Sequence, residues 1–130
     1  MSREQIESTR EEEGRNTQQF RSAQSYYIRG FRDYQQGQYR RAVEAFDTAL
    51  SFFPNHTLAR RYRTLAQRRL DEFIQYNMIE GRRYRERNNH SMCAAAFRNV
   101  MTVVRDQRDP TYIQAKENFD ECMIHLRERY

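Results

Sequence analysis

Three histidines and two cysteines are the residues of this 130-residue sequence best suited to metal or nucleophilic chemistry, and their spacing argues against most of it. His56 follows Pro54-Asn55 in a turn, His90 falls in a second turn and His125 late in a helical pattern; no two share a ligand spacing, and no H-E-x-x-H occurs. His90 and Cys93 stand at i, i+3, which a metal could use, but with no further ligands nearby they read as a surface histidine beside a buried cysteine. Cys93 and Cys122 lie far apart, each inside an apolar helical pattern and outside any C-x-x-C pair. They read as two small buried hydrophobes rather than a bridge. Glu11, Glu12 and Glu13 read as a solvated charge run rather than catalytic carboxylates. With no glycine-rich phosphate loop and no G-x-S-x-G, no catalytic constellation can be assembled, and neither a metal nor a cofactor is expected.

The basic residues are the second chemical resource. Lys116 is the only lysine, so the net charge of +5 is carried almost wholly by arginine, which stays charged when partly desolvated and forks onto carboxylates and phosphates. Segment 57–91 holds nine arginines against four acidic residues and accounts for the whole excess. One reading of 60–87 is a phosphate-binding helix, with Arg60, Arg61, Arg63, Arg68, Arg69, Arg82, Arg83, Arg85 and Arg87 interleaved with Tyr62 and Tyr84. These arginines point around a helix rather than along one stripe, and Glu72, Glu80 and Glu86 dilute the field. Recognition of a protein is therefore preferred, with nucleic acid the alternative.

The positioning elements follow from periodicity. Residues 1–19 contain few sizeable apolar groups and read as a polar linker or solvated helix, the folded part being 20–130. Phe20, Ala23, Tyr26, Tyr27, Gly30, Phe31 and Tyr34 recur at helical spacing up to a stop at Gln36-Gly37. Tyr39, Ala42, Val43, Phe46, Ala49, Leu50 and Phe53 form a second stripe that Pro54-Asn55 ends, and so short a connection makes an antiparallel hairpin. Between Thr57 and Asn88 the preferred reading is one helix of about 30 residues rather than two broken near Asp71, because Leu70-Asp71-Glu72-Phe73 has no turn chemistry. Asn88 to Ser91 breaks the chain, with Ser91 as the expected N-cap. A further helix carries Cys93, Phe97 and Val100, and Asp109-Pro110 opens the last. The fold class is all-α. Mean hydropathy is low (−1.13) and no apolar run reaches a membrane span, so a soluble cytoplasmic protein is expected.

Gly30, Gly37, Tyr39, Ala42, Phe46, Ala49 and Pro54, with Tyr26 at an aromatic position, resemble the tetratricopeptide repeat, a helical hairpin of about 34 residues, over about 23–56. A degenerate copy over about 74–108 aligns Gly81 with Gly30. It places Cys93 at Ala42, Phe97 at Phe46 and Val100 at Ala49, and Tyr84 at the family's usual helix-A aromatic position. The offset, 81 − 30 = 51, exceeds one period, and a backward extension of the second copy's first helix accounts for the surplus. The last helix reads as a cap.

The resemblance implies antiparallel hairpins and a non-enzymatic protein-binding scaffold or adaptor. In such domains the first helices line a groove, here with Tyr27, Phe31 and Tyr34 as an aromatic wall and Met78, Arg82 and Arg85 opposite. Tyr27 and Phe31 stand where members that grip chaperone tails carry lysine and asparagine, so that role is not expected. The implied partner is an amphipathic or acidic peptide or helix, with homodimerisation through the last helix as a further expectation. Bacterial signalling proteins that join a forkhead-associated phosphopeptide reader to polar helical repeats are a loose resemblance, and the chain reads as part of a larger signalling or assembly protein of that type.

Overall fold

A computed structural model describes residues 2–5 and 17–128 of the chain. Most of the polar segment 1–19 lies outside the described residues. Where it is described, Ser2 and Gln5 make a reciprocal capping pair: Gln5 N–H donates to Ser2 Oγ (3.2 Å) and Ser2 N–H to Gln5 Oε1 (3.0 Å).

Five long helices follow among the described residues: α1 (Gln18–Gln35), α2 (Tyr39–Phe52), α3 (Thr57–Glu86), α4 (His90–Val103) and α5 (Pro110–Glu128). The fold is all-α and tetratricopeptide-like, with α1 packed against α2 as a hairpin and α5 packed against α4. No helix among the described residues is long and apolar enough to cross a membrane. Segment 57–86 is one uninterrupted 30-residue helix, as its lack of turn residues predicts. The chain divides into two compact units, Met1–Leu70 and Asp71–Tyr130.

In the first unit, Thr17 caps α1 by accepting from Phe20 N–H (3.2 Å), so the helix begins two residues before the apolar stripe that announced it. Gly37 ends it at φ 77°, a left-handed conformation that glycine adopts without penalty, and Gln38 N–H closes the turn onto Asp33 O (2.9 Å). The extended Phe53 before Pro54 stops α2, and His56 starts α3. His56 is buried. Its Nδ1 accepts from Ala59 N–H (3.1 Å), which leaves the proton on Nε2 to donate to Gln24 Oε1 (2.8 Å). The core is Ala23, Tyr27, Ala42, Val43, Phe46, Ala49, Ala59 and Ala66. Alanines dominate because the helices cross closely, and one fully buried phenylalanine fills the space beside them.

The second unit repeats this plan at the 51-residue offset. Gly30 and Gly81 face the same partner: a Cβ built on Gly30 would lie 2.7 Å from a Phe46 ring carbon, and one on Gly81 would lie 2.6 Å from Phe97. The turn repeats as well. Asn88 takes the left-handed conformation of Gly37 at φ 59°, and Asn89 N–H donates to Tyr84 O (2.8 Å) as Gln38 does to Asp33. Asparagine tolerates that region better than other residues carrying a Cβ, so the degenerate copy keeps the turn without the glycine.

Two expectations are corrected here. The N-cap of α4 is Asn89, whose side chain accepts from Met92 N–H (3.2 Å), and Ser91 lies inside the helix; Asn88 completes the turn early enough for its neighbour to cap. The two cysteines are buried, as their apolar settings imply, but they are not separate. They form a disulfide between α4 and α5, with Cα atoms 6.0 Å apart. Twenty-nine positions separate them in sequence, and the antiparallel return of α5 brings them together.

Adding one methyl group at either crossing should overpack it. Gly30→Ala or Gly81→Ala is expected to lower unfolding free energy by a net of up to about 2 kcal/mol, since overpacking costs about 1–3 kcal/mol against about 1 kcal/mol of helix propensity gained. Urea unfolding checks this. Pairing Gly30→Ala with Phe46→Leu should recover part of the loss.

Candidate protein-binding faces

Tyr27, Phe31 and Tyr34 lie along one face of α1, and the four-residue link between α2 and α3 folds the first turns of α3 back onto that face. Tyr62 is the residue that meets them. Its ring lies 6.3 Å from Tyr27, 5.0 Å from Phe31 and 5.8 Å from Tyr34, the last two edge-on, the preferred geometry for aromatic pairs. Tyr27 also packs on Phe46 and His56 and is only 9 % exposed, whereas Phe31 and Tyr34 are half-buried and keep an outer surface. Of the three aromatics expected to form a wall, Tyr27 therefore belongs to the core, because the returning helix occupies its side of α1. Neither Tyr62 nor His56 was singled out from sequence as a neighbour of these rings. The apolar stripe Leu58, Tyr62, Leu65, Ala66 in α3 was the available signal.

The same three slots in the second unit, 51 residues on, hold Met78, Arg82 and Arg85. Met78 is buried in a core with Cys93, Ala94, Phe97, Val100, Ala115 and Cys122. Arg82 is exposed, its Nε donating back to Met78 O (3.3 Å). Arg85 is half-buried and its fork is already engaged by α5, donating to Asn118 Oδ1 (2.8 Å) and Glu121 Oε1 (2.5 Å). Tyr34 and Arg85 thus do the same structural job, each joining its hairpin to the helix that follows, one by ring contact and the other by charge-assisted hydrogen bonds. Arg82 is the arginine of the pair whose guanidinium stays on the surface.

The arginine-rich helix is less uniformly basic than its sequence. Arg60 donates to Pro54 O (2.8 Å), Arg63 pairs with Asp47, Arg83 pairs with Glu80 (3.0 Å), and Arg85 is held as described. These pairs are substantially exposed and add little stability, but they remove fork directions that a phosphate backbone would need. A cavity of about 200 Å3 opens beside this helix in the second unit, with Tyr76, Glu80, Tyr84 and Met92 among its walls. Its lining includes the buried Asn77, which accepts from Asn99 Nδ2 (3.0 Å) and donates to Phe73 O (2.9 Å).

Residues 23–56 match the family model described as tetratricopeptide repeat. That segment is a tetratricopeptide repeat. No curated protein and no solved structure matches the chain. The tetratricopeptide hairpin is α1 with α2. The family's packing positions in it are the ones at which Tyr26 stacks on Phe52 (5.8 Å), Gly30 admits Phe46, and Ala42 and Ala49 are fully buried.

Burial, with Tyr62 as a second and smaller cause, pushes the Tyr27 hydroxyl above its ordinary pKa of 10.0. The folded state therefore holds this proton more tightly than the unfolded chain. The stability involved is complete below about pH 10 and is lost as pH rises through the folded value. Tyr27→Phe should remove that contribution, so its unfolding free energy should fall less steeply than wild type between pH 9.5 and 11. Parallel slopes in denaturant titrations would contradict the assignment.

Proposed function

We propose that the chain is a non-enzymatic protein–protein interaction scaffold that holds an amphipathic or acidic segment of a partner protein. The observation that carries this reading is the tetratricopeptide match over 23–56, a repeat whose usual work is binding other proteins. The surface chemistry supports the class of partner. In the first unit Phe31 and Tyr34 offer half-buried aromatic edges to an apolar side chain, and in the second unit Arg82 offers an exposed guanidinium to a carboxylate. Tyr27, Met78 and Arg85 support these contacts from behind, since they are buried or already paired. We further place the chain within a larger signalling or assembly protein, in which the scaffold would bring a partner to neighbouring domains.

Fluorescence anisotropy with labelled acidic amphipathic helical peptides and charge-reversed counterparts tests the reading. Acidic peptides should bind more tightly, and Phe31→Ala with Tyr34→Ala should weaken them about thirtyfold to several-hundredfold, since anchors of this kind contribute about 1–2 kcal/mol each. Arg82→Glu should narrow the preference for acidic over charge-reversed peptides. Equal binding of both peptide classes would sink the proposal. So would preferred binding of labelled DNA or RNA with affinity falling steeply between 50 and 200 mM salt, the behaviour of a phosphate-backbone binder.

A further inference from the structure

The α4–α5 interface holds a second pattern. His90-x-x-Cys93 on α4 and Cys122-x-x-His125 on α5 are each spaced by three residues, so each pair lies on one helix face about a turn apart. Because the helices run antiparallel, the pairs meet in reverse order. Cys93 joins Cys122, with Cα atoms 6.0 Å apart, and the imidazoles of His90 and His125 stack with centroids 5.0 Å apart and planes at 22°. Two sulfurs and two imidazoles thus converge within one unit, and both cysteines are shut off from water.

Two further observations point to a ligand there. Nδ1 of His90 is buried and has no hydrogen-bond partner, an arrangement that proteins avoid unless something else satisfies the atom. Nδ1 of His125 lies 3.5 Å from Glu128 Oε2, the carboxylate placement that orients a metal-bound imidazole and leaves its Nε2 for the ion. As the side chains stand, no group of three or more His, Cys, Asp or Glu among the described residues is placed to hold a metal ion, and two bonded sulfurs are not thiolate ligands, so the proposal concerns the opened bridge.

We propose that the dithiol form of the second unit binds one zinc ion through His90, Cys93, Cys122 and His125. A set of two sulfurs and two nitrogens with no oxygen selects a tetrahedral zinc site. Such a site separates its sulfurs by roughly 3.8 Å and its nitrogens by roughly 3.3 Å, given bonds of about 2.3 and 2.0–2.1 Å. A dithiol reductant opens the bridge, supplying two electrons and two protons as it closes to its own disulfide. Zinc then takes both sulfurs as thiolates and releases two protons. Two thiolate charges cancel those of the ion, which suits the buried position of the two cysteines. Disulfide and zinc are thus alternative clips for the same two helices.

The test uses the full chain reduced with a dithiol, desalted under argon and titrated with cobalt(II), then with zinc. One cobalt per chain is expected, with the sulfur charge-transfer and intense visible bands of a tetrahedral mixed sulfur–nitrogen site, displaced by one equivalent of zinc. His125 is half-exposed, so His125→Gln should keep the helical circular dichroism while weakening cobalt binding at least about tenfold and shifting its bands. His90→Gln should do the same, and Cys93→Ser should abolish the charge-transfer band. Reduced protein with two titratable thiols that takes up no cobalt would overturn the proposal. Uptake whose affinity and spectrum are unchanged in both histidine variants would also overturn it.

Discussion

The closeness of two helix crossings, Gly30 against Phe46 and Gly81 against Phe97, is the constraint on which the rest of the molecule depends. Each crossing leaves no room for a Cβ on one side and fills the other with a fully buried ring. Burying such a ring contributes about 2–3 kcal/mol, a large share of the stability available to a unit with so thin a core. The small residues around it, Ala42 and Ala49 in one unit and Cys93 in the other, let the helices approach that closely. With the crossing set, the turn is set too, and both copies end their first helix in the left-handed region whether glycine or asparagine is present.

A hairpin built this way leaves one face of its first helix uncovered, and in both units a third helix returns to cover it. The two units solve this with different chemistry at equivalent positions. Tyr34 meets Tyr62 in the first, where rings carry the contact, and Arg85 meets Asn118 and Glu121 in the second, where a guanidinium fork does. Residues that a regular array would present on its groove are therefore divided between packing and exposure. What stays on the surface is the outer edge of Phe31 and Tyr34 and the head of Arg82.

The second unit adds a feature absent from the first. At the equivalent of Ala42 stands Cys93, and a bond to Cys122 ties α4 to α5 where the first unit relies on aromatic packing. Apolar helices packed around small residues tolerate that exchange, because a buried cysteine fills nearly the space of a small hydrophobe. A covalent or metal clip suits a unit whose hairpin face carries methionine and arginine in place of three aromatic rings.

The sequence by itself determined the helices, their turns and the repeat. Period, proline, glycine and the small residues at the crossings are local signals, and Gly30, Phe46 and Pro54 mark the family match without reference to anything distant. It also marked Gly81 and Phe97 as a second copy, since the same two residue types recur at the same spacing. Only the tertiary structure decided which polar and titratable groups meet. That Tyr27 is covered by Tyr62, that Arg85 is held by Glu121, and that Cys122 and His125 lie opposite Cys93 and His90 depend on a helix returning after a turn. Helical periodicity fixes which face a side chain occupies. It carries no information about which residue of another helix will face it, because that register is set by packing and not by spacing along the chain.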